Sequence, residues 1–232
     1  MTRQNTIPGV DGINQTALVP LWDLLNHTQG KISTDYNPIL KRIECLALRD
    51  FKCGEQLFIF YGPRSNGEFF IHNGFVPDNN EYDNYIIKLG ISKSDPLKEK
   101  RSLILQKISL ANIHQFCLKK GPVQIPQNLV AFVRIFCMDE DQLHHWLESD
   151  NLTDLGYEAC TVDLALEKKS WIFLQTRLKL ILAAYKTTVD EDLSLLNENK
   201  LPPNITLALK MRYSEKVIIR DNIEWLKQRI EQ

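Results

Sequence analysis

Two segments in the first third of the sequence hold side chains that could do chemistry together. Trp22 to His27 places Trp, Asp, Asn and His side by side after an apolar stretch, and Tyr61 follows the apolar run Leu57 to Phe60. A tyrosine hydroxyl at a strand end can stabilise charge that develops during a reaction. Taken alone, each segment fits a packing or turn role better than a chemical one. Together they predict one site built by residues that are distant in sequence.

Composition limits what kind of protein could carry such a site. The 232 residues are 44% hydrophobic and 25% charged, which is typical of a globular protein large enough for two domains. The formal charge of −1 provides no basic field for nucleic acid. The sequence contains no apolar run of transmembrane length, and its start is polar. We therefore expect no membrane or nucleic-acid partner and an intracellular location, in the cytoplasm with the nucleus as an alternative.

Neither a structural metal nor a disulfide framework is expected. The five cysteines form no C-x-x-C pair, and their number is odd. The five histidines lack the i, i+4 spacing with a carboxylate that zinc hydrolases use. The sequence thus predicts reduced thiols and a site without metal.

The apolar pattern of the first 94 residues indicates short strands. From Lys41 onwards apolar residues occur on both alternating faces, which predicts a strand covered on both sides. Further strands are predicted at Leu57 to Phe60 and at Tyr85 to Leu89. Between them, residues 66–75 are typical of a short helix that is closed by Gly74.

From about Asp95 the apolar residues recur with helical spacing. The last predicted helix follows Pro202-Pro203, with Asn204 as a candidate N-cap. The pattern predicts an α+β protein with a β-rich domain over residues 1–94 and an all-α domain over residues 95–232. Helices are expected at 97–110, 129–136, 139–148, 178–185, 188–198 and 204–230.

The order of the motifs resembles the C-terminal part of a SET domain. The resemblance is carried by Asn26-His27, the Gly54-Glu55 turn and Tyr61-Gly62. In that family the Asn-His segment passes beneath the strand that carries the tyrosine and surrounds S-adenosyl-L-methionine, which is therefore the cofactor the resemblance implies. Complete members carry a long region before the equivalent of Arg3, so the resemblance also implies an N-terminally truncated chain.

A helical region after the tyrosine, in place of a cysteine-rich module, is similar to the Rubisco large-subunit methyltransferase class. In that class the α-helical domain binds the protein substrate. Within the class, several segments resemble the branch that methylates a histidine of actin. The resemblance therefore implies a protein-histidine N-methyltransferase with actin as its partner, and we expect the chain to be monomeric. The segments are Arg3-Gln4-Asn5, Pro20 to Asp23, Asn26-His27-Thr28, Ile59 to Gly62, Arg64-Ser65-Asn66, Leu89 to Asp95 and Phe136-Cys137-Met138.

Roles for individual residues follow from chemistry and from the resemblance. Tyr61 is the predicted main catalytic residue. Asn5 carries an amide that can donate to or accept from an imidazole, whereas an aromatic residue there would suit a lysine stem. The resemblance implies that Asn5 shapes the histidine slot, that the Asp23 backbone holds the other ring nitrogen, and that Trp22 and Arg64 contact substrate. It also implies a cofactor site lined by Arg3, Asp23, Leu24, Leu25, Asn26, His27, Asn73, Gly74 and Phe75.

Two alternatives compete with this prediction. The chain could be a non-catalytic fragment whose helical domain still binds actin or another partner. It could also be a protein-lysine methyltransferase of the Rubisco class, against which Asn5 argues. Cofactor binding separates an enzyme from a binding fragment, and the amino acid that becomes methylated separates the two enzymes.

Overall fold

A computed structural model describes residues 5–9, 12–111, 114–159, 162–198 and 200–231. Arg3, which was assigned to the cofactor site, lies outside these residues. The chain divides into two compact units, Met1–Tyr82 and Asp83–Gln232, called unit 1 and unit 2 below. The domain boundary predicted between residues 94 and 95 stays a prediction. No helix within the described ranges has both the length and the apolar character needed to cross a membrane.

The described residues of unit 1 form three small two-stranded sheets. Two are antiparallel hairpins, whereas the third joins strands that are distant in sequence and run parallel. Parallel neighbours require a crossover connection, and here that connection contains one of the two hairpins. The pairs are β1 (Asn5–Pro8) with β2 (Asn14–Ala17), β4 (Thr34–Asn37) with β5 (Arg42–Cys45), and β3 (Asn26–His27) with β6 (Phe58–Ile59).

The strand predicted after Lys41 is confirmed as β5, but its predicted burial on both faces is wrong. Ile43 is only half-buried, and the side chains of Leu46 and Leu48 beyond the strand are 66% and 60% exposed. A two-stranded hairpin has no further strand or layer of its own to cover a second face. Apolar residue type alone therefore overstated how much of this segment is buried.

The short helix predicted for residues 66–75 is confirmed with one addition. It begins as α1 (Asn66–Glu68). Ser65 and Glu68 cap the N-terminus of this helix with a reciprocal capping box. It continues as a π-helical turn over Phe69–Asn73 and ends at Gly74 with φ of 77°. A residue with a Cβ is strained at this positive φ, which explains the glycine. No sequence pattern indicated the π-helical turn.

In its described residues, unit 2 combines one antiparallel strand pair with six α-helices, and the predicted α+β class is confirmed. The pair joins β7 (Asn84–Lys88) to β8 (Gln115–Lys119) across a connection that contains the first of these helices. β7 was predicted, whereas β8 lies in a region predicted to be all helical and corrects that prediction. The helices are α2 (Lys98–Lys107), α3 (Gln127–Cys137), α4 (Glu140–Glu148), α5 (Leu164–Ala183), α6 (Val189–Asn197) and α7 (Pro203–Glu231).

The core of unit 2 forms where the apolar faces of its helices meet. Phe132 of α3 packs against Phe116 of β8, and Trp171 of α5 packs edge-on against Trp225 of α7. Each of the six predicted helical segments coincides with one of these helices, although α5 begins at Leu164, well before the predicted segment 178–185. The predicted N-cap at Asn204 is wrong because α7 begins at Pro203, whose fixed φ suits the first turn of a helix.

Candidate active site

A cavity of about 180 Å³ in unit 1 brings together most of the residues predicted for catalysis and substrate contact. Short segments supply its walls: the start of β1, a 3-10 turn at Trp22–Leu24, the start of β4, the end of β6 and the π-helical turn. The lining residues are Asn5, Trp22, Asp23, Ile32, Thr34, Ile59, Phe60, Tyr61, Gly62, Arg64 and Asn73.

One side of the cavity is organised by the carboxylate of Asp23. Its Oδ1 accepts a hydrogen bond from the Asn5 Nδ2 at 2.9 Å, and its Oδ2 accepts one from the Val19 N–H at 2.8 Å. The Asp23 N–H in turn donates to the Val19 carbonyl at 3.0 Å. The turn between them passes through Leu21, which has a strained φ of 66°. The Asp23 carboxylate therefore stabilises the turn from Val19 to Asp23 and also binds the side-chain amide of Asn5.

Tyr61 is fixed from both its backbone and its side chain. Its hydroxyl donates to the Leu25 carbonyl at 2.5 Å, and its N–H donates to the His27 Nδ1 at 3.3 Å. The parallel pairing of β3 with β6 creates these contacts, because it lays His27 beside Ile59. Since the single hydroxyl proton of Tyr61 is used by Leu25, its oxygen offers only acceptor capacity to other groups.

His27 lies in an aromatic cluster beside the cavity. Its ring centroid is 4.6 Å from that of Phe69, 5.2 Å from Tyr61 and 5.9 Å from Phe75. Burial lowers the pKa of His27 below its ordinary 6.5, and the positive charge of Arg64 lowers this pKa further. Nδ1 accepts a hydrogen bond, so the proton of the neutral ring is on Nε2, which is buried and has no hydrogen-bond partner among the described residues.

A buried amide network holds the opposite wall of the cavity. Asn80 is buried and donates from Nδ2 to the Arg64 carbonyl at 2.7 Å and to the Asn66 Oδ1 at 3.0 Å. The Arg64 side chain then donates to the Asn73 Oδ1 at 3.0 Å. Asn80 was not predicted, because its Pro77 to Asn80 segment has the composition of an ordinary turn.

The other residues predicted for the cofactor site and described by the structure do not line this cavity. Leu24 is in the 3-10 turn with an exposed side chain, and Asn26 is exposed in β3. Leu25 lines a second cavity of about 420 Å³ in unit 1, whose walls are largely apolar. Gly74 and Phe75 directly follow the π-helical turn. Ile32 and Thr34 line the first cavity but carried no signal in the sequence, since neither lies in a recognisable motif.

Within the described ranges, no three His, Cys, Asp or Glu side chains come together as a candidate metal site. The chemistry that the cavity can offer is that of fixed polar groups. These are an amide oriented by Asp23, a tyrosine oxygen restricted to accepting, and an arginine held by Asn73. Such groups orient a bound side chain more readily than they remove a proton.

Comparison with known protein families identifies the family of the helical unit 2. Residues 92–219 match the family described as Rubisco LSMT substrate-binding. The chain belongs to this family. Its helices α2 to α6 lie within the matched range, as does most of α7. The predicted resemblance to the Rubisco large-subunit methyltransferase class is thereby confirmed.

This member of the Rubisco LSMT substrate-binding family also has similar curated relatives. Proteins named actin-histidine N-methyltransferase from Canis lupus familiaris and Homo sapiens are 45% and 44% identical to it over 229 residues. The matched region covers 97% of this chain and 39% of each relative. The chain thus spans about two fifths of the length of the curated relatives that it matches.

Solved structures confirm the fold of this family member. The crystal structure of the SET domain of LSMT bound to MeLysine and AdoHcy matches with a TM-score of 0.78 and 23% identity. The match covers 94% of this chain and 51% of that chain. The structure of Rubisco LSMT bound to AdoMet also has a TM-score of 0.78, with 24% identity, and the match covers 93% of this chain and 50% of that one.

Proposed function

We propose that this chain carries part of an S-adenosyl-L-methionine-dependent protein-histidine N-methyltransferase that acts on a histidine of actin. The observation that carries the proposal is the shared cavity in which the Asn5 amide, the Asp23 carboxylate and the Tyr61 side chain meet. The names of the relatives support the choice of actin and of histidine. The match of residues 92–219 to a substrate-binding family supports a protein substrate.

Methyl transfer is an in-line displacement, so an enzyme must align the attacking nitrogen with the methyl group and exclude water. Tyr61 suits this task because its hydroxyl proton is committed to the Leu25 carbonyl. The remaining oxygen lone pairs can accept weak hydrogen bonds from an electron-poor methyl group. We therefore assign Tyr61 as the main catalytic residue, acting through charge stabilisation and alignment.

The residues that would hold the cofactor fit its chemistry in part. Asn73 lines the cavity with a polar amide, and the partly exposed rings of His27 and Phe75, which pack on the buried Phe69, provide aromatic surface that suits a purine. Gly74 ends the turn between Asn73 and Phe75 without a side chain. When bound, this cofactor supplies a methyl group on a positively charged sulfur. Asp23, Leu24, Leu25 and Asn26 complete the proposed cofactor site.

Histidine is a suitable nucleophile for this cavity. A neutral imidazole has a free lone pair near pH 7, so it needs orientation more than it needs a base. The cavity offers orientation through Asn5, and we assign Trp22 and Arg64 to contacts with the substrate peptide. We further propose that the chain is monomeric and acts in the cytoplasm, with the nucleus as a second site. The exposed thiols of Cys45 and Cys53 support a reducing compartment.

The test of this function incubates the full chain with the cofactor and an actin peptide that contains one histidine and one lysine. Mass spectrometry then locates any added methyl group. We expect it on histidine, and we expect Tyr61→Phe to lower the rate by about 100-fold, the cost of losing one transition-state contact. Tyr157→Phe, a change of the same type at an exposed tyrosine of unit 2, serves as the matched control and should not alter the rate.

The outcomes separate the candidate functions. A methyl group found on lysine alone would contradict the histidine assignment. Calorimetry that detects no cofactor binding would leave a binding fragment as the function of this chain. A Tyr61→Phe rate equal to the unmodified rate would remove Tyr61 from the chemistry.

A further inference from the structure

A cavity of about 420 Å³ in unit 2 lies between β7 and the second half of α5, and it is called the α5 cavity below. Arg177, Leu180 and Ala184 follow one another at spacings of three and four residues, so their side chains share one face of this helix. Leu180 is 61% exposed, and Arg177 and Ala184 are exposed as well. This face therefore presents a cation and apolar groups to solvent. Tyr85, Ile181 and Tyr185 complete the lining of the cavity.

Among the described residues, Arg177 differs from the other arginines in having no partner. Each of the others donates to a side-chain oxygen, in most cases that of a carboxylate. The Arg177 guanidinium forms neither an ion pair nor a hydrogen bond with any described residue, and the Tyr85 hydroxyl forms no hydrogen bond with one. The α5 cavity thus contains two donors that no described residue uses.

The two donors lie close enough for the charge of one to affect the other. Burial and the negative charge of Glu215 raise the pKa of Tyr85, and the positive charge of Arg177 lowers it without reversing the shift. The Tyr85 hydroxyl therefore keeps its proton at neutral pH and acts as a donor. A guanidinium has only donors, and a carboxylate has only acceptors. The pair of groups is thus complementary to a carboxylate.

One anion of α7 works against such a ligand. The Glu215 carboxylate accepts a hydrogen bond from the Tyr185 hydroxyl at 3.0 Å, so this hydroxyl proton is not available to a ligand. The buried cation nearest to the Tyr185 ring, Lys216, is paired with Asp192. Glu215 therefore opposes the binding of an anion, whereas the unpaired arginine favours it.

We propose that the α5 cavity is a docking site for an acidic segment of a partner protein. A glutamate or aspartate carboxylate of that segment accepts hydrogen bonds from Arg177 and Tyr85. An apolar side chain next to it packs on Leu180 and Ala184. The site uses no residue of the first cavity, so this inference goes beyond the proposed function and stands without it.

The apolar part of the face is the reason for assigning a peptide rather than a free anion. Side chains three or four residues apart on a helix have Cβ atoms about 5–6 Å apart. Residues i and i+2 of an extended peptide are about 6.5 Å apart along the chain, which matches this spacing. A carboxylate on one of them and an apolar group on the other cover both parts of the face. An inorganic anion would leave the exposed Leu180 uncovered.

Two blocked tetrapeptides test the charge that the site requires. One has two glutamates between two leucines, and the other has glutamines in place of the glutamates. Each is titrated into the full chain labelled with nitrogen-15, and binding is followed by the chemical shifts of the Arg177 side-chain N–H and of the α5 amides. We expect the acidic peptide to bind about fivefold more tightly, the upper value for one exposed ion pair. High salt should reduce this preference.

Substitutions of the two opposing charges should act in opposite directions. Arg177→Gln keeps a helix-forming residue at an exposed position and should remove the preference for the acidic peptide. Glu215→Gln removes the repelling charge but keeps an oxygen that accepts from Tyr185, so the acidic peptide should bind about twofold more tightly. Residues that only hold the fold would not give this pattern. Arg220→Gln is the matched control, because it changes an exposed arginine that already pairs with Asp221.

The apolar contact has its own variant. Leu180→Ser should weaken both peptides by the same factor of about two, because it removes apolar surface and no charge.

Equal binding of the two peptides to the unmodified chain would overturn the proposal, as would no binding of either. An Arg177→Gln chain that keeps the preference would place the carboxylate elsewhere, and shifts confined to amides of unit 1 would do the same. Weaker binding of the acidic peptide to Glu215→Gln would contradict the assigned direction of the charges.

Discussion

The surroundings of His27 in the folded chain disfavour protonation of its imidazole. Its Nδ1 accepts from the Tyr61 N–H, and its ring packs among Phe60, Phe69 and Phe75. A proton on Nδ1 would remove that acceptor, and a charged ring would lose hydration in the aromatic cluster. His27 therefore works as a neutral residue that positions the tyrosine, rather than as a base.

The lowered pKa of His27 predicts a pH-dependent stability of unit 1. Between the ordinary pKa of 6.5 and the lower pKa of the folded state, the unfolded chain binds a proton that the folded chain does not. The free energy of unfolding should therefore fall as pH drops through 6.5, and level off below the pKa of the folded state. Urea unfolding from pH 8 to pH 5, monitored by hydrogen exchange of the backbone amides of unit 1, measures this change.

Two histidine variants show whether His27 is the cause. His27→Phe keeps an aromatic ring in the cluster and should remove the pH dependence in this range, although it also removes an acceptor for Tyr61. His72→Gln changes an exposed histidine of the same unit and should keep the dependence. If His27→Phe leaves the pH dependence as it was, another group is responsible.

At the scale of elements, the backbone strain at the end of the π-helical turn can be tested by comparing substitutions of Gly74 and Gly67. Gly74 ends the π-helical turn at φ of 77°, and no atom lies within 4 Å of the position that a Cβ would take, so Gly74→Ala costs only backbone strain. We expect a loss of about 1 kcal/mol in the free energy of unfolding. Gly67→Ala lies inside α1 at an ordinary φ and should be neutral or slightly stabilising. Equal effects of the two variants in urea unfolding would contradict the proposed strain.

In unit 2, one buried ion pair ties α3 to α5. Arg134 is fully buried, and its guanidinium donates to both oxygens of Glu167 at 2.7 and 2.8 Å. It also donates to the carbonyls of Leu155 and Tyr157, which lie in the segment between α4 and α5. A single side chain therefore provides hydrogen bonds to a buried carboxylate and to two backbone carbonyls.

Removing only one partner of this pair should be costly. Arg134→Met leaves Glu167 buried without compensation, and we expect a loss of about 3–5 kcal/mol. The double variant Arg134→Met with Glu167→Leu should recover part of that loss, because no charge is then left behind. Lys100→Met breaks an exposed pair with Glu140 and should change the stability little. Urea unfolding gives all of these values, and a double variant as unstable as Arg134→Met would contradict the argument.

The spacing of apolar residues predicted the helices and strands better than it predicted the contacts between them. Helices such as α3 and α6 were predictable because their apolar residues repeat at helical spacing. β8 was missed because it is short and lies between helical segments. The hydrogen bond between Asn5 and Asp23 was missed because its partners are brought together by the pairing of β1 with β2 and by the turn at Leu21. Local sequence does not encode such a contact.

At the scale of the whole molecule, apolar burial is unevenly shared between the two units. The main buried cluster of the described residues runs from Ile87 to Leu226 and lies entirely in unit 2. The buried apolar side chains of unit 1 are few: Val19, Ile59, Phe60, Phe69 and Val76. Local stability follows buried apolar contact, so unit 2 should be the more stable of the two.

Hydrogen exchange with mass spectrometry tests this difference. Backbone amides of α3 and α5 should exchange much more slowly than those of β1 and β2, because small hairpins without a shared core open easily. Adding S-adenosyl-L-methionine should slow exchange in unit 1 if the cofactor binds there. Equal protection of the two units would contradict the uneven distribution of core contacts.

The parallel pairing of β3 with β6 also has a consequence for how the sequence can change. The chain leaves the site after His27 and returns at Phe58, and the excursion carries the β4 and β5 hairpin with its exposed tip around Ile39. The entropy of closing such a loop rises only with the logarithm of its length, by about 0.6 kcal/mol for each doubling. Insertions at this tip should thus be tolerated without displacing Tyr61 from Leu25. Loops that recognise other partners can therefore be inserted at the tip of the β4 and β5 hairpin while the contact between Tyr61 and Leu25 stays as it is.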